Sequence, residues 1–163
     1  AVYLANNLGV DMGMFYKRRD YSRVVNGRNP IVAHEFLGSS VEGKTVLIID
    51  DMISSGESML DTCRASKSAR QNASLYALPS VCSPTDLEIR RIFAKGYLDC
   101  VVTTNLNYHT PELLKRDWYV EADMSKFIAA IINSLNHNVS LENALTPTAK
   151  IQKLIKRYNE GQM

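Results

Sequence analysis

The stretch Thr45-Val46-Leu47-Ile48-Ile49-Asp50-Asp51-Met52-Ile53-Ser54-Ser55-Gly56-Glu57-Ser58 decides the fold. It reads as a buried, β-branched strand that stops on two adjacent carboxylates, followed by a turn of small residues and a helix from about Met59 to Arg70. An apolar strand in a parallel sheet has no local use for paired Asp at its end, because burying even one carboxylate is expensive. Asp50 and Asp51 are therefore expected to face solvent or a ligand at the carboxyl edge of the sheet, where open α/β sheets bind small molecules. The turn brings backbone N–H groups and hydroxyls to a helix N-terminus, which makes an anion site. Two acceptors for hydroxyls beside a cradle for a phosphate describe a sugar-phosphate site. Part of the same stretch also fits helix capping: Ser54-x-x-Glu57 matches a capping box, and Ser55 or Ser58 could cap as well. Capping needs neither aspartate.

Strand and helix patterns alternate outward from this stretch. Upstream, Asp11–Tyr16 reads as a short strand, followed by a polar loop to about Asn29 and a strand over Ile31 to Leu37. Downstream, Ala73–Val81 is a strand, Thr85–Lys95 an amphipathic helix closed by Gly96, and Cys100–Thr104 a strand. Thr110-Pro111-Glu112 is a helix start, with Thr as cap, Pro at the first position and an acid in the first turn. Trp118–Val120 reads as a last short strand. Ser125–Leu135 is apolar almost all round, which predicts a buried helix, against another subunit if not its own core. Pro147 to Tyr158 has the pattern of a docked amphipathic helix with a solvated lysine face. Repeated strand–helix units predict an α/β fold, a parallel sheet with helices on both faces. No repeat, low-complexity tract or boundary interrupts the 163 residues, which read as a single domain.

Composition narrows the function classes. A net charge of +2, with no dominant basic block, does not suggest nucleic acid binding. No apolar stretch is long enough to span a membrane and no signal peptide is visible. Cys63, Cys82 and Cys100 are odd in number and widely spaced, which argues against a disulfide framework or a zinc site and for reduced thiols in a cytoplasmic protein. The chain opens with Ala1-Val2-Tyr3-Leu4-Ala5-Asn6-Asn7-Leu8-Gly9, a helix ending on its Gly with no N-cap and no initiator Met. A chain that begins inside a helix is expected to be a piece of a longer one.

A basic segment follows. Lys17, Arg18, Arg19, Arg23 and Arg28 stand among Asn, Gly, Asp and Ser with few apolar residues, so they are expected on a mobile loop or a solvated face. In an extended segment Lys17 and Arg19 point one way and Arg18 the other. His34 reads as a structural histidine, His109 as a surface loop residue at the carboxyl edge of a strand, and His137 carries no signal. Thr103, Thr104 and Asn105 end a strand on the same edge as Asp50 and Asp51 and could line the sugar site.

With these pieces in place, the chain resembles the type I phosphoribosyltransferase fold, and within it the ribose-phosphate pyrophosphokinase family. The stretch Ile48-Ile49-Asp50-Asp51 through Ser58 resembles the phosphoribosyl-binding signature. Phe15-Tyr16-Lys17-Arg18-Arg19 resembles the family's catalytic flexible loop, and Gly43-Lys44-Thr45 the approach to the signature strand. Trp118-Tyr119-Val120 through Asp123-Met124-Ser125 resembles its C-terminal closure. The resemblance runs along essentially the whole chain and matches the second of the family's two similar halves.

What the resemblance implies is specific. The parent enzyme would transfer diphosphate from ATP to ribose 5-phosphate, giving 5-phosphoribosyl 1-pyrophosphate and AMP, with Mg2+ as cofactor. Asp50 and Asp51 would bind the ribose hydroxyls and the metal, directly or through water. Ser54, Ser55, Gly56, Glu57 and Ser58 would hold the 5-phosphate, and Lys17 and Arg19 would serve the transferring group. The partners would be ATP and ribose 5-phosphate, with no nucleic acid and no membrane, in a homodimer or larger homo-oligomer. This chain alone would be inactive, because the adenine contacts lie in the other half. The Gly of Ser54-Ser55-Gly56-Glu57-Ser58 stands one place earlier than in many pyrophosphokinases, closer to ordinary phosphoribosyltransferases. Two alternatives stand beside the first: a phosphoribosyltransferase that consumes the product, and a non-catalytic regulatory relative that binds a phosphoribosyl ligand.

Overall fold

The computed structural model describes the chain except residues 20, 21, 25–30, 55, 57, 58, 64–73, 83–89, 91, 92 and 163, together with the side chains of 17–19, 31–35, 143 and 144. The described residues form two compact units, one from residues 12–121 and one from residues 1–11 and 122–163.

The larger unit holds both sheets. Strands β1 (Met14–Arg19) and β2 (Ile31–Leu37) make an antiparallel pair with Lys17 opposite His34 and a register shift between Arg18 and Arg19. Phe15 and Phe36 face each other across it, ring centroids 5.1 Å apart. The Phe36 ring also lies against Gly13, where an added Cβ would come within 2.4 Å of it, so no larger residue fits without moving the ring. The basic triplet is therefore the end of a strand that outlasts its expected limit at Tyr16. Its pairing with the apolar β2 carries the strand onward, an interaction the local polarity did not signal.

The second sheet has the order β3 (Val46–Ile53), β4 (Leu75–Cys82), β5 (Cys100–Thr104), β6 (Tyr119–Ala122). β3 runs parallel to β4, and β4 parallel to β5. One face of this sheet carries the core. That face is closed. Leu75 and Ala77 of β4 and Val101 of β5 are buried there, in one cluster with Met59, Cys63, Leu98 and Leu113. Phe93 stacks on Trp118 at 4.3 Å beside them.

The opposite face differs from the fully buried strand that the sequence suggests. Leu47 and Ile49 of β3 are 42% and 37% exposed, and Tyr76, Leu78 and Val102 beside them are only half-buried. β3 ends the described sheet, so one of its edges and much of one face meet solvent. The strand also continues past its expected stop: Asp50 and Asp51 lie within β3, which runs on to Ile53. Asp50 stands opposite Pro79, a residue without an N–H to offer the ladder.

After β5, the short helix α2 (Pro111–Leu114) starts as expected. The Thr110 hydroxyl accepts from the Leu113 N–H and Pro occupies the first turn. In the smaller unit, α1 (Val2–Leu8) ends on Gly9 in the left-handed conformation (φ 65°), whose N–H caps the Ala5 carbonyl. α3 (Ser125–Asn136) and α4 (Glu142–Leu145) follow, then α5 (Thr148–Asn159). The Tyr3 and Thr148 hydroxyls bond at 2.7 Å, tying α1 to α5. His137, silent in the sequence, places its Nδ1 2.8 Å from the Asn133 carbonyl and closes the end of α3. No residue of α3 is buried, so the helix is not covered by its own chain's core, and Ile132 and Leu135 stand open. No described helix is long and apolar enough to cross a membrane.

Candidate functional site

Two clusters occupy the carboxyl end of the parallel sheet, and they are built from opposite materials.

The first is the β3 end. Asp50 is half-buried and Asp51 exposed. The Asp51 N–H donates to Asp50 Oδ1 at 2.9 Å. Burial raises the Asp50 carboxyl above its ordinary range. The neighbouring Asp51 adds to the rise, while the backbone hydrogen bond pulls the other way. The pair is thus a place of crowded negative charge. Beyond Ile53 the chain turns at Ser54, which is exposed, and Gly56, which is buried with φ 71°. A left-handed residue here favours glycine strongly. The Gly56 carbonyl accepts from the Leu60 N–H at 2.8 Å, opening the helix over 59–63 that the sequence placed there. Ser55, Glu57 and Ser58 lie outside the described residues, as do the side chains of Lys17 and Arg19.

Among the described residues no group of three or more His, Cys, Asp or Glu could hold a metal. Asp50 and Asp51 nevertheless suit Mg2+, a hard cation that is commonly held by one or two carboxylates and completed by substrate oxygens and water. Their oxygen donors and crowded charge fit such an ion, provided the ligand supplies the remaining positions.

The second cluster was not legible in the sequence. His109 is 5% exposed rather than a surface residue. Its Nδ1 lies 2.8 Å from Glu121 Oε2 and 2.9 Å from the Tyr119 hydroxyl, and its Nε2 lies 3.5 Å from Cys82 Sγ. The Tyr119 hydroxyl also meets Thr103 Oγ1 at 2.7 Å. An acceptor carboxylate at Nδ1 assigns the ring proton to that nitrogen, leaving Nε2 to accept from the Cys82 S–H. Thr104 Oγ1 donates to the Ser80 carbonyl, and Asn107 Nδ2 to the Cys82 carbonyl at 2.8 Å. The Thr103 and Thr104 hydroxyls therefore each have a partner within the fold.

Cys82, His109 and Glu121 stand in the order of a nucleophile, a base and its orienting acid, but the chemistry does not follow. Burial pushes the Cys82 thiol up, away from the thiolate that a nucleophile needs, and only 3% of the residue is exposed. Burial likewise holds the Tyr119 hydroxyl up at about 12. Alternation could have hinted at Tyr119 and Glu121 sharing one side of a strand. The contacts with Cys82 and His109 join residues 10 to 27 positions apart along the chain, which no local pattern reports.

Residues 1–73 match the family model for the phosphoribosyl transferase domain. With the parallel sheet, that match settles the architecture. The fold is α/β and phosphoribosyltransferase-like. The matched residues include α1, the β1–β2 pair, β3 and the turn at Gly56. The chain has no match among curated proteins.

Proposed function

We propose that the chain is the ribose 5-phosphate-binding half of an enzyme that transfers diphosphate from ATP to ribose 5-phosphate, giving 5-phosphoribosyl 1-pyrophosphate and AMP. The observation that carries this is the Asp50–Asp51 pair in the carboxyl-terminal half of a parallel strand, which runs on to Ile53 and is followed by the left-handed Gly56 whose carbonyl opens a helix. Carboxylate oxygens accept from ribose hydroxyls, and the segment Ser54 to Ser58 takes the 5-phosphate on its helix-start N–H groups and hydroxyls. In the transfer the anomeric hydroxyl oxygen bonds to the β-phosphorus, the bond from that phosphorus to the α,β-bridging oxygen breaks, and AMP leaves with the electron pair. The hydroxyl proton passes to solvent. Mg2+ held by Asp50 and Asp51 would neutralise phosphate charge. Lys17 and Arg19 meet the charge spread over the transferring group, which is how such reactions are driven.

Gly56 and the phosphoribosyl transferase match favour a second reading, a transferase that consumes 5-phosphoribosyl 1-pyrophosphate. In either case we propose a cytoplasmic homo-oligomer that engages neither nucleic acid nor membrane. The deciding experiment is kinetic, on the full-length protein. AMP formation that requires both ATP and ribose 5-phosphate is expected, with Lys17→Ala and Arg19→Ala losing about two to three decades in turnover and Arg18→Ala little affected. Pyrophosphate release from 5-phosphoribosyl 1-pyrophosphate and a base, without that activity, would select the transferase. Intact turnover in Lys17→Ala would remove the basic segment from the mechanism.

A further inference from the structure

The loop that leaves β5 emerges at the same carboxyl edge as Asp50 and Asp51. β5 is the second strand from β3, which places the loop about 10 Å to the side, a span comparable to the length of a sugar phosphate. The loop is heavily fastened. Thr104 and Asn107 bond to carbonyls at the end of β4, while His109 reaches Cys82 on one side and Tyr119 and Glu121 of β6 on the other. Leu106 and Tyr108 are left 50% and 70% exposed. The fastening carries a cost, because Asn107 Oδ1 is buried with no hydrogen-bond partner. A buried orphan acceptor in a native protein calls for an explanation, and functional sites are a common place to find one.

We propose that His109 is a positioning residue for ligand binding: by bridging the end of β4 to β6 it holds the loop of Asn105–Tyr108 as a second wall of the phosphoribosyl site. The assignment rests on the phosphoribosyl reading above and extends it to residues with no carboxylate or phosphate role. The 5-phosphate end of the ligand lies over the Gly56 turn, its ribose on Asp50 and Asp51, and its anomeric end approaches Leu106 and Tyr108. His109 itself stays buried and touches no ligand.

The test is a titration of ribose 5-phosphate into the protein, following backbone amides and affinity at a temperature where every variant is folded. Wild type is expected to shift both Asp50–Asp51 and Leu106–Tyr108. His109→Leu is expected to bind about tenfold more weakly and to lose the shifts at Leu106–Tyr108 while keeping those at Asp50–Asp51. His109→Gln, which keeps polar groups at the bridge, should recover most of the affinity. Should His109→Leu fail to fold, Glu121→Gln and the wild-type shifts carry the test. Wild-type shifts at Asp50–Asp51 with none at Leu106–Tyr108 would overturn the positioning role alone, and so would affinity unchanged in folded His109→Leu. No shift anywhere in wild type would overturn the phosphoribosyl reading with it.

Discussion

β3 and β5 end on the same edge of one sheet and solve the problem of polar residues in opposite ways. β3 presents two carboxylates at an open edge, beside exposed Leu47 and Ile49, with no ion pair to either among the described residues. β5 buries Val101 and Thr103 completely and closes its polar groups into a network through Tyr119 and His109. A buried polar group is affordable only when it is satisfied, whereas an exposed charge can wait for a ligand. On the proposed reading, β3 supplies the polar groups that meet a ligand and β5 the rigid frame beside them.

The largest expected difference between the strands is in packing. Val101→Ala should cost about 2–3 kcal/mol of unfolding free energy through lost burial and a residual cavity, while Ile49→Ala on the open face should cost well under half as much. Denaturant titration of the two variants measures both, and equal costs would mean that β3 is as enclosed as β5. Next comes Tyr119→Phe, which strips a hydroxyl from two buried partners and should cost about 1–3 kcal/mol. It also carries a pH signature. Because the folded protein holds the Tyr119 proton up to about 12 against an ordinary 10, its contribution is complete below pH 10 and is lost as the pH rises from 10 to about 12. Stability curves for wild type and Tyr119→Phe should therefore converge across that window.

At β3 the effects move from stability to binding. Asp51→Asn should weaken ribose 5-phosphate by about tenfold to a hundredfold, the value of a hydrogen bond to a charged acceptor, with little change in melting temperature. Calorimetric titration and a thermal melt on the same sample separate the two. Asp50→Asn should give the smallest stability change and one of opposite sign. Its carboxyl is raised by burial, so its ionised form destabilises the unliganded fold at neutral pH, and removing that charge should raise the melting temperature slightly while binding is lost. A fall in melting temperature would mean that the charge is compensated.

The contrast also explains what could be read from the residues alone. The Thr110 cap, the Gly9 stop and the helical start after Gly56 rest on contacts within a few residues, and with β2 and β5, whose own composition marks them, they stand where the pattern put them. Where neighbours across the sheet decide, the pattern failed. β1 extends through Arg19 because β2 pairs with it, β3 passes through its carboxylates because β4 accompanies it to Cys82, and His109 is buried because Cys82, Tyr119 and Glu121 meet around it. The exposure of Leu47 and Ile49 follows from a position in the strand order, which no composition reports.

The bond between Tyr3 and Thr148 spans 145 positions of sequence, and it bears on the order of assembly. Strands β3, β4 and β5 each pair with the next strand in the chain, so the sheet can grow by successive additions that close comparatively short loops. α1 precedes the strands in the chain and can dock only after α5, which follows them, has been synthesised. Its exposed Val2 and Tyr3 spend that interval without their partner helix, a period in which aggregation competes with folding. Pulsed hydrogen exchange during refolding should find β4 and β5 amides protected before those of α1 and α5, and simultaneous protection would show instead that the two helices meet as early as the strands do.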